Sequence, residues 1–233
     1  IFIDMLESGF EPRIPLCEPM ASTSFMRTSS LDGYMIGLML GDGCFKNKQL
    51  TTGDKQTLDY ALRAGCRRNN DSVHAKKDGT ESRAYVVTLD GDLRKRFVTW
   101  CSNHGLTNAK SENKFVPTGI FSRDIEYRLS VLQGLMDTDG YVDERGHCYF
   151  YSSSRRLADD VRTLVLSLGG KAKVSNPKPS YYEYLGEKKR GLDHYNVTVW
   201  MPKTSALFRL ERKKSRCTDS WNGGYEITRK VVR

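Results

Sequence analysis

"MIGLMLGDG" (residues 35–43) and "LQGLMDTDG" (residues 132–140) share Gly, Leu, Met, Asp and Gly at matching positions, 97 residues apart. Each reads as an apolar helix that stops at a Gly, with a carboxylate in its last turn. An acid there faces the negative end of the helix macrodipole, a repulsion of a few tenths to ~1 kcal/mol. Lys, Arg or His is the usual occupant. One helix-end Asp in a Gly turn is commonplace, but two in matched contexts ask for a common cause.

The similarity continues beyond the motifs, and repetition of this kind decides architecture. After the first motif come "CFKNKQLTTGD" and a helical stretch "QTLDYALRAG"; after the second come "YVDERGHCYFYSS" and "RRLADDVRTLVLSLGG". A basic strand region follows in each half, with Lys76 and Arg83 in one and Lys171 and Lys173 in the other. A closing strand comes next, "YVVTL" at 85–89 and "YNVTV" at 195–199, then a helix-like segment, "DLRKRFVTW" from 92 and "SALFRLERKK" from 205. The pattern predicts an α+β fold of two pseudo-symmetric αββαββα halves, residues 31–104 and 126–216, joined by a linker over 105–125. Residues 1–30 read as an N-terminal extension and 217–233 as a C-terminal tail.

Small residues recur four apart in both motif helices, Gly37 and Gly41 in one, Gly134 and Thr138 in the other. They allow two helix backbones to approach closely. If the halves pack through these helices, Asp42 and Asp139 arrive side by side. Paired carboxylates at two helix C-termini are a poor structural device. They become favourable around a hard divalent cation, which takes carboxylate and carbonyl oxygens, here with Gly41 and Thr138 next to the two acids. Such a site lowers the pKa of a bound water and supports in-line displacement at phosphorus.

The 233-residue chain carries a net charge of +9, and its first thirty residues are net acidic, so the excess sits in the remainder. A basic body points to a polyanion. Strand alternation predicts where it docks. In "CFKNKQLT", Phe45 faces inward while Lys46 and Lys48 face outward; across a turn at Asn47, Leu50 joins the core while Gln49 and Thr51 join the lysines. In "HCYFYSS", Cys148 and Phe150 face inward while His147, Tyr149, Tyr151 and Ser153 face outward. Antiparallel sheets with one buried face and one polar, basic and aromatic face suit a DNA duplex.

Other classes are excluded more simply. The six cysteines contain no CxxC pair and read as reduced thiols, and the four histidines are scattered, which argues against a zinc site. No apolar run reaches the ~18 residues of a membrane span, and the N-terminus has no signal-peptide pattern. The expectation is an intracellular protein.

At the two motifs the chain resembles the LAGLIDADG homing endonucleases of the monomeric, two-motif type, over roughly residues 31–215. In the first copy Leu40 replaces the first Asp of the family name, while the final Asp, the metal-binding one, is kept as Asp42. The resemblance implies a monomer that lays two saddle-shaped sheets along the major groove of double-stranded DNA. It further implies cleavage of both strands across the minor groove, with Mg²⁺ or Mn²⁺, leaving short 3′ overhangs. Each active site is expected to pair the motif Asp with a basic residue: Lys114 of "KFVP" before the second motif, and Lys213, or its neighbour Lys214, in "RLERKKSRC". The stretch "KFVPTGIFSRDIEYRLSVLQGLMDTDG" is similar to endonuclease domains carried by inteins. The ends lack the Cys or Ser and the His-Asn that protein splicing requires, so the expectation is no self-splicing, with residues 1–30 a splicing-domain remnant or linker and the chain a piece of something longer. Two other functions sit on the same fold, an RNA-binding intron maturase and a DNA-binding regulator with decayed sites; retention of both acids and both lysines argues against decay.

Overall fold

The computed structural model describes residues 13–15, 18–21, 31–69, 71–75, 81–184, 186–219 and 224–226. A short strand β1 (Arg13–Pro15) precedes the first half. That half runs α1 (Gly33–Gly41), β2 (Gly43–Cys44), β3 (Gln49–Thr52), α2 (Lys55–Arg63), β4 (Cys66–Arg68), β5 (Ser72–Ala75), β6 (Glu81–Leu89) and α3 (Gly91–Asn103). The second runs α4 (Ile125–Asp139), β7 (Gly140–Val142), β8 (Cys148–Ser152), α5 (Arg155–Ser167), β9 (Lys171–Val174), β10 (Tyr181–Tyr184), β11 (Glu187–Arg190), β12 (Tyr195–Trp200) and α6 (Glu211–Lys214). A last strand, β13 (Gly224–Glu226), pairs antiparallel with β1.

Both motif helices begin at an Asp cap. Asp32 accepts from the Tyr34 N–H at 3.3 Å, and Asp124 from the Tyr127 N–H at 2.7 Å. Helix α1 is buried along its whole length from Gly33 to Leu40. A helix apolar on all sides belongs in the centre of a fold, and α1 crosses α4 there. The crossing depends on missing side chains: a β-carbon on Gly37 would stand 2.8 Å from the Gly134 α-carbon.

Around this pair lie two antiparallel sheets, in strand orders β2-β3-β6-β4 and β7-β8-β12-β9. Their inner faces (Leu50, Val87 and Leu89; Cys148, Phe150, Val197 and Val199) are buried. Leu58 and Ala61 of α2, Phe97 and Trp100 of α3, and Val161 and Val165 of α5 join the same core.

Details differ from the sequence expectation. Lys46 and Lys48 sit on the turn between β2 and β3, not on a strand; Cys44 already pairs with Gln49, so the chain reverses between them, and Lys48 takes a left-handed φ of 58°. Both halves carry extra strand after their second helix: β5 pairs alongside β6, and β10 with β11 forms a separate hairpin. The helix expected from residue 205 is split into a 3-10 turn, Thr204–Leu207, and the four-residue α6. Phe208 and Leu210 between them are buried, which pins that stretch in extended form.

The chain crosses between halves twice, in matching ways. Residues 105–125 pack rather than dangle: Leu106, Val116 and Ile120 are buried. The Ser154 hydroxyl, the N-cap of α5, donates to the Lys114 carbonyl at 2.7 Å, and the Val116 N–H donates to Asp160 at 2.8 Å. Reciprocally, Arg212 grips Asp54, the N-cap of α2, through two bonds of 2.6 and 2.7 Å. The tail of each half thus docks on the start of the other half's second helix.

Candidate functional site

The close crossing delivers the two motif acids to one place. Asp42 caps the C-terminus of α1 and Asp139 is the last residue of α4. A β-carbon on Gly41 would lie 3.1 Å from an Asp139 carboxylate oxygen, so only Gly leaves room for both helix ends. Both acids line an open cleft that also takes in Lys46, Lys114, Tyr151 and Ser153.

Their charges are uncomfortable. Burial pushes the Asp139 carboxyl up to about 7; the nearby Asp42 charge adds to this, and Lys114 and Lys213 pull against it. Asp42 reaches solvent at the cleft mouth, yet the protein packed behind it still raises its carboxyl, again opposed by Lys114 and Lys213. These two oxygen-rich groups repel each other unless a cation stands between them.

The lysines resolve the macrodipole problem. Lys114 is buried, and its ammonium donates to the carbonyls of Met39 and Gly41 at the end of α1. Lys213 is buried too, and donates to the carbonyls of Met136, Asp137 and Gly140 at 2.8, 2.8 and 2.7 Å, with a longer contact of 3.4 Å to Thr138. Each helix therefore has its basic C-terminal partner after all, supplied from 75 and 77 residues further along the chain. Burial lowers the ammonium of Lys114; it also brings Lys213 to about 8, helped by Arg212 and opposed by Asp137. Of the two candidates at 213 and 214, only Lys213 reaches a motif helix. Lys214 stays at the surface, 3.1 Å from Glu211.

The donor set is made of hard oxygens. Two carboxylates stand beside helix-end carbonyls, and the Thr138 hydroxyl is turned inward to the carbonyls of Gly134 and Leu135. Among the described residues no three His, Cys, Asp or Glu side chains converge on one point. These groups suit Mg²⁺ or Mn²⁺ completed by water and substrate oxygens.

The outer sheet faces carry one row across each half. Register pairs Cys44 with Gln49, Gln49 with Thr88, and Thr88 with Arg67. In the second half Tyr141 pairs with Tyr149, Tyr149 with Thr198, and Thr198 with Lys173. Thr51 and Tyr151 lie on the same faces and are exposed, Ser153 is half-buried, and Lys171 lies 5.0 Å over the Trp200 ring. Arg83 lies in β6, and its side chain falls outside the described residues, as does Lys76 altogether. Sequence reading missed Arg67, Thr88, Tyr141 and Thr198, although period-two alternation extended along β4, β6, β7 and β12 would have reached them. It also left Asp137 without a role. This buried carboxylate accepts from the Tyr34 hydroxyl at 2.7 Å and the Arg209 N–H at 2.9 Å, tying α4 to α1 and to the segment that leads to Lys213.

Comparison with known proteins agrees with the motifs. Residues 126–194 match the family model of the LAGLIDADG-like domain. The replicative DNA helicase DnaB of Synechocystis is 26% identical over 208 residues, 83% of this chain and 23% of the helicase. DnaB of Mycobacterium intracellulare is 30% identical over 77% of this chain and 25% of its own length. An iron-sulfur cluster assembly SufBD family protein of Mycobacterium leprae is 25% identical over 58% of this chain and 15% of its own length. The chain thus spans a quarter or less of these relatives. Among solved structures, mesophilic variants of the homing endonuclease I-DmoI are 14% identical, with a TM-score of 0.40 over 75% of this chain and 90% of theirs. No helix among the described residues is long and apolar enough to cross a membrane.

Proposed function

We propose that this chain, which carries a LAGLIDADG-like domain over residues 126–194, is a site-specific homing endonuclease. In this reading it binds a long double-stranded DNA site as a monomer and hydrolyses both strands across the minor groove, leaving short 3′ overhangs. The observation that carries the reading is the convergence of Asp42 and Asp139 on one cleft between two outward-facing, polar sheet surfaces. A protein that only binds DNA has no physical use for paired carboxylates, which repel phosphate.

Asp42 and Asp139 would hold Mg²⁺ or Mn²⁺, with the carbonyls of Gly41 and Thr138 beside them. When bound, such an ion supplies charge for the phosphodiester oxygens and a hydrolytic water of lowered pKa. The chain's own part is placement. Gly37, Gly41 and Gly134 bring the two acids together, one from each half, so that one carboxylate serves each strand. Lys114 and Lys213 hold the helix ends in shape and offset part of the negative charge as phosphate approaches. The rows around Gln49 and Tyr149 set the register on the duplex.

Matches to a segment inside proteins with unrelated names, a helicase and a cluster-assembly protein, support a module inserted into host proteins, as an intein-borne endonuclease is. The test follows from that. A supercoiled plasmid carrying a helicase gene without the matching segment is incubated with the protein and Mg²⁺ or Mn²⁺. Linear product with 3′ overhangs, absent with EDTA, is the expected result. Tight binding without cleavage by the wild type in either metal would leave only a DNA-binding role, and preference for intron RNA would favour a maturase.

A further inference from the structure

A carboxylate on a surface that must meet a polyanion needs a reason, and Asp143 has one. It sits on the turn between β7 and β8, on the outward side, and its side chain is 24% exposed. Its Oδ1 accepts the backbone N–H of Arg145 at 2.9 Å and of His147 at 2.8 Å. Its Oδ2 meets His147 Nδ1 at 3.1 Å and the Tyr149 hydroxyl at 3.4 Å. Burial disfavours its charge, but the hydrogen bonds from His147 and the Arg145 N–H together outweigh that and hold the carboxyl below its usual range. The corresponding turn of the first half, Phe45–Lys48, contains no acid.

An ionised carboxylate only accepts hydrogen bonds. His147 Nδ1 must therefore carry a proton, and whenever the ring holds only that one proton, as in alkaline buffer, Nε2 is an acceptor pointing away from Asp143. The Tyr149 hydroxyl likewise gives its proton to Asp143 and keeps its lone pairs for the groove. Both outward groups thus present acceptors. Major-groove partners for an acceptor are the amino groups of adenine and cytosine, while guanine and thymine present acceptors of their own there.

We propose that Asp143 is a specificity-positioning residue: by fixing the proton of His147 and the hydroxyl of Tyr149, it makes the second half prefer adenine or cytosine at the base each contacts. The inference rests on the DNA reading above and deepens it.

The experiment is selection from a randomised duplex pool, with Ca²⁺ in place of Mg²⁺ and at pH 8.5, using wild type, His147→Ala, Asp143→Asn and Lys46→Ala. If wild type enriches no sequence, the DNA reading fails; the outcomes below presuppose enrichment. His147→Ala identifies the position it reads. At that position wild type is expected to favour adenine or cytosine by roughly fivefold, the discrimination one neutral hydrogen bond sustains. In Asp143→Asn the amide oxygen retains the two backbone N–H bonds, while its NH₂ turns towards Nδ1. The ring proton then moves to Nε2, and the preference is lost or inverts towards guanine or thymine at that position alone. A merely structural Asp143 would lower all enrichment together and leave the pattern intact. The proposal is overturned if Asp143→Asn keeps the wild-type preference at the His147 position, if His147→Ala changes no position, or if wild type favours guanine or thymine there. Lys46→Ala, on the other half, is expected to leave that position unchanged.

Discussion

Gly37 and Gly134 meet backbone against backbone: a β-carbon on Gly37 would stand 2.8 Å from the Gly134 α-carbon. Everything proposed for the site depends on that approach, because it sets the distance between the helix ends that bear Asp42 and Asp139. Gly37→Ala is therefore expected to destabilise the fold by ~1–3 kcal/mol, the usual cost of forcing volume into a packed contact, and to abolish cleavage. Gly119→Ala, where nothing lies within 4 Å, is the control and should unfold like wild type in a urea titration.

Asp139 should cost the metal-free protein stability at neutral and high pH. Its folded carboxyl titrates near 7, pushed up by burial and by Asp42, and its unfolded one near the ordinary value of 3.8. Below that value both states are protonated and nothing is lost. As pH rises towards 7 the unfolded chain ionises first, and above 7 the full penalty applies. Asp139→Asn should accordingly raise Tm at pH 8 by ~2–4 °C, allowing about 1 kcal/mol after solvent screening. The gain should vanish near pH 4 and shrink when Mg²⁺ is added to wild type. Thermal melts of both proteins at the two pH values decide it.

The same variant, and Asp42→Asn, should lose double-strand cleavage while retaining DNA binding. Asn preserves size and suits a helix-end position, so a folded protein with normal gel-shift affinity is expected. Normal cleavage by either variant would remove the two-acid metal site from the mechanism.

Lys213 and Lys214 should separate cleanly. Lys213→Met leaves several buried carbonyls at the end of α4 without a donor, at a cost of ~2–3 kcal/mol. Lys214→Met breaks one surface ion pair with Glu211, worth at most ~1 kcal/mol. Denaturant midpoints that coincide for the two variants would contradict the assignment of Lys213 as the cap of α4.

Affinity should fall steeply with salt. A duplex that gives up about eight phosphates to the basic faces yields a slope near −7 in a plot of log K against log salt. A slope near zero in a fluorescence titration would remove DNA as the main ligand.

The sequence alone carried the repeat, the two acids, the small residues between them and the alternation that turns Gln49 and Tyr149 outward. These are local patterns: helical spacing, period-two strands and Gly at a helix end all act within a few residues. What only the tertiary structure decided are the long-range partners. Lys213 reaches α4 from 77 residues away, Arg212 reaches Asp54 across the halves, and Asp137 is claimed by Tyr34 from 103 residues away. Nothing in the spacing of "RLERKK" tells the buried lysine from its half-buried neighbour, because that depends on which side of a four-residue helix faces α4. The lysines at the turn after Cys44 illustrate the same limit. Alternation places Lys46 and Lys48 on strands flanking a turn at Asn47, but pairing of Cys44 with Gln49 leaves both lysines within the turn itself. Local preference fixes which residues form elements and which face they show; the contacts that cap, bridge and charge the site exist only once the two halves have closed on each other.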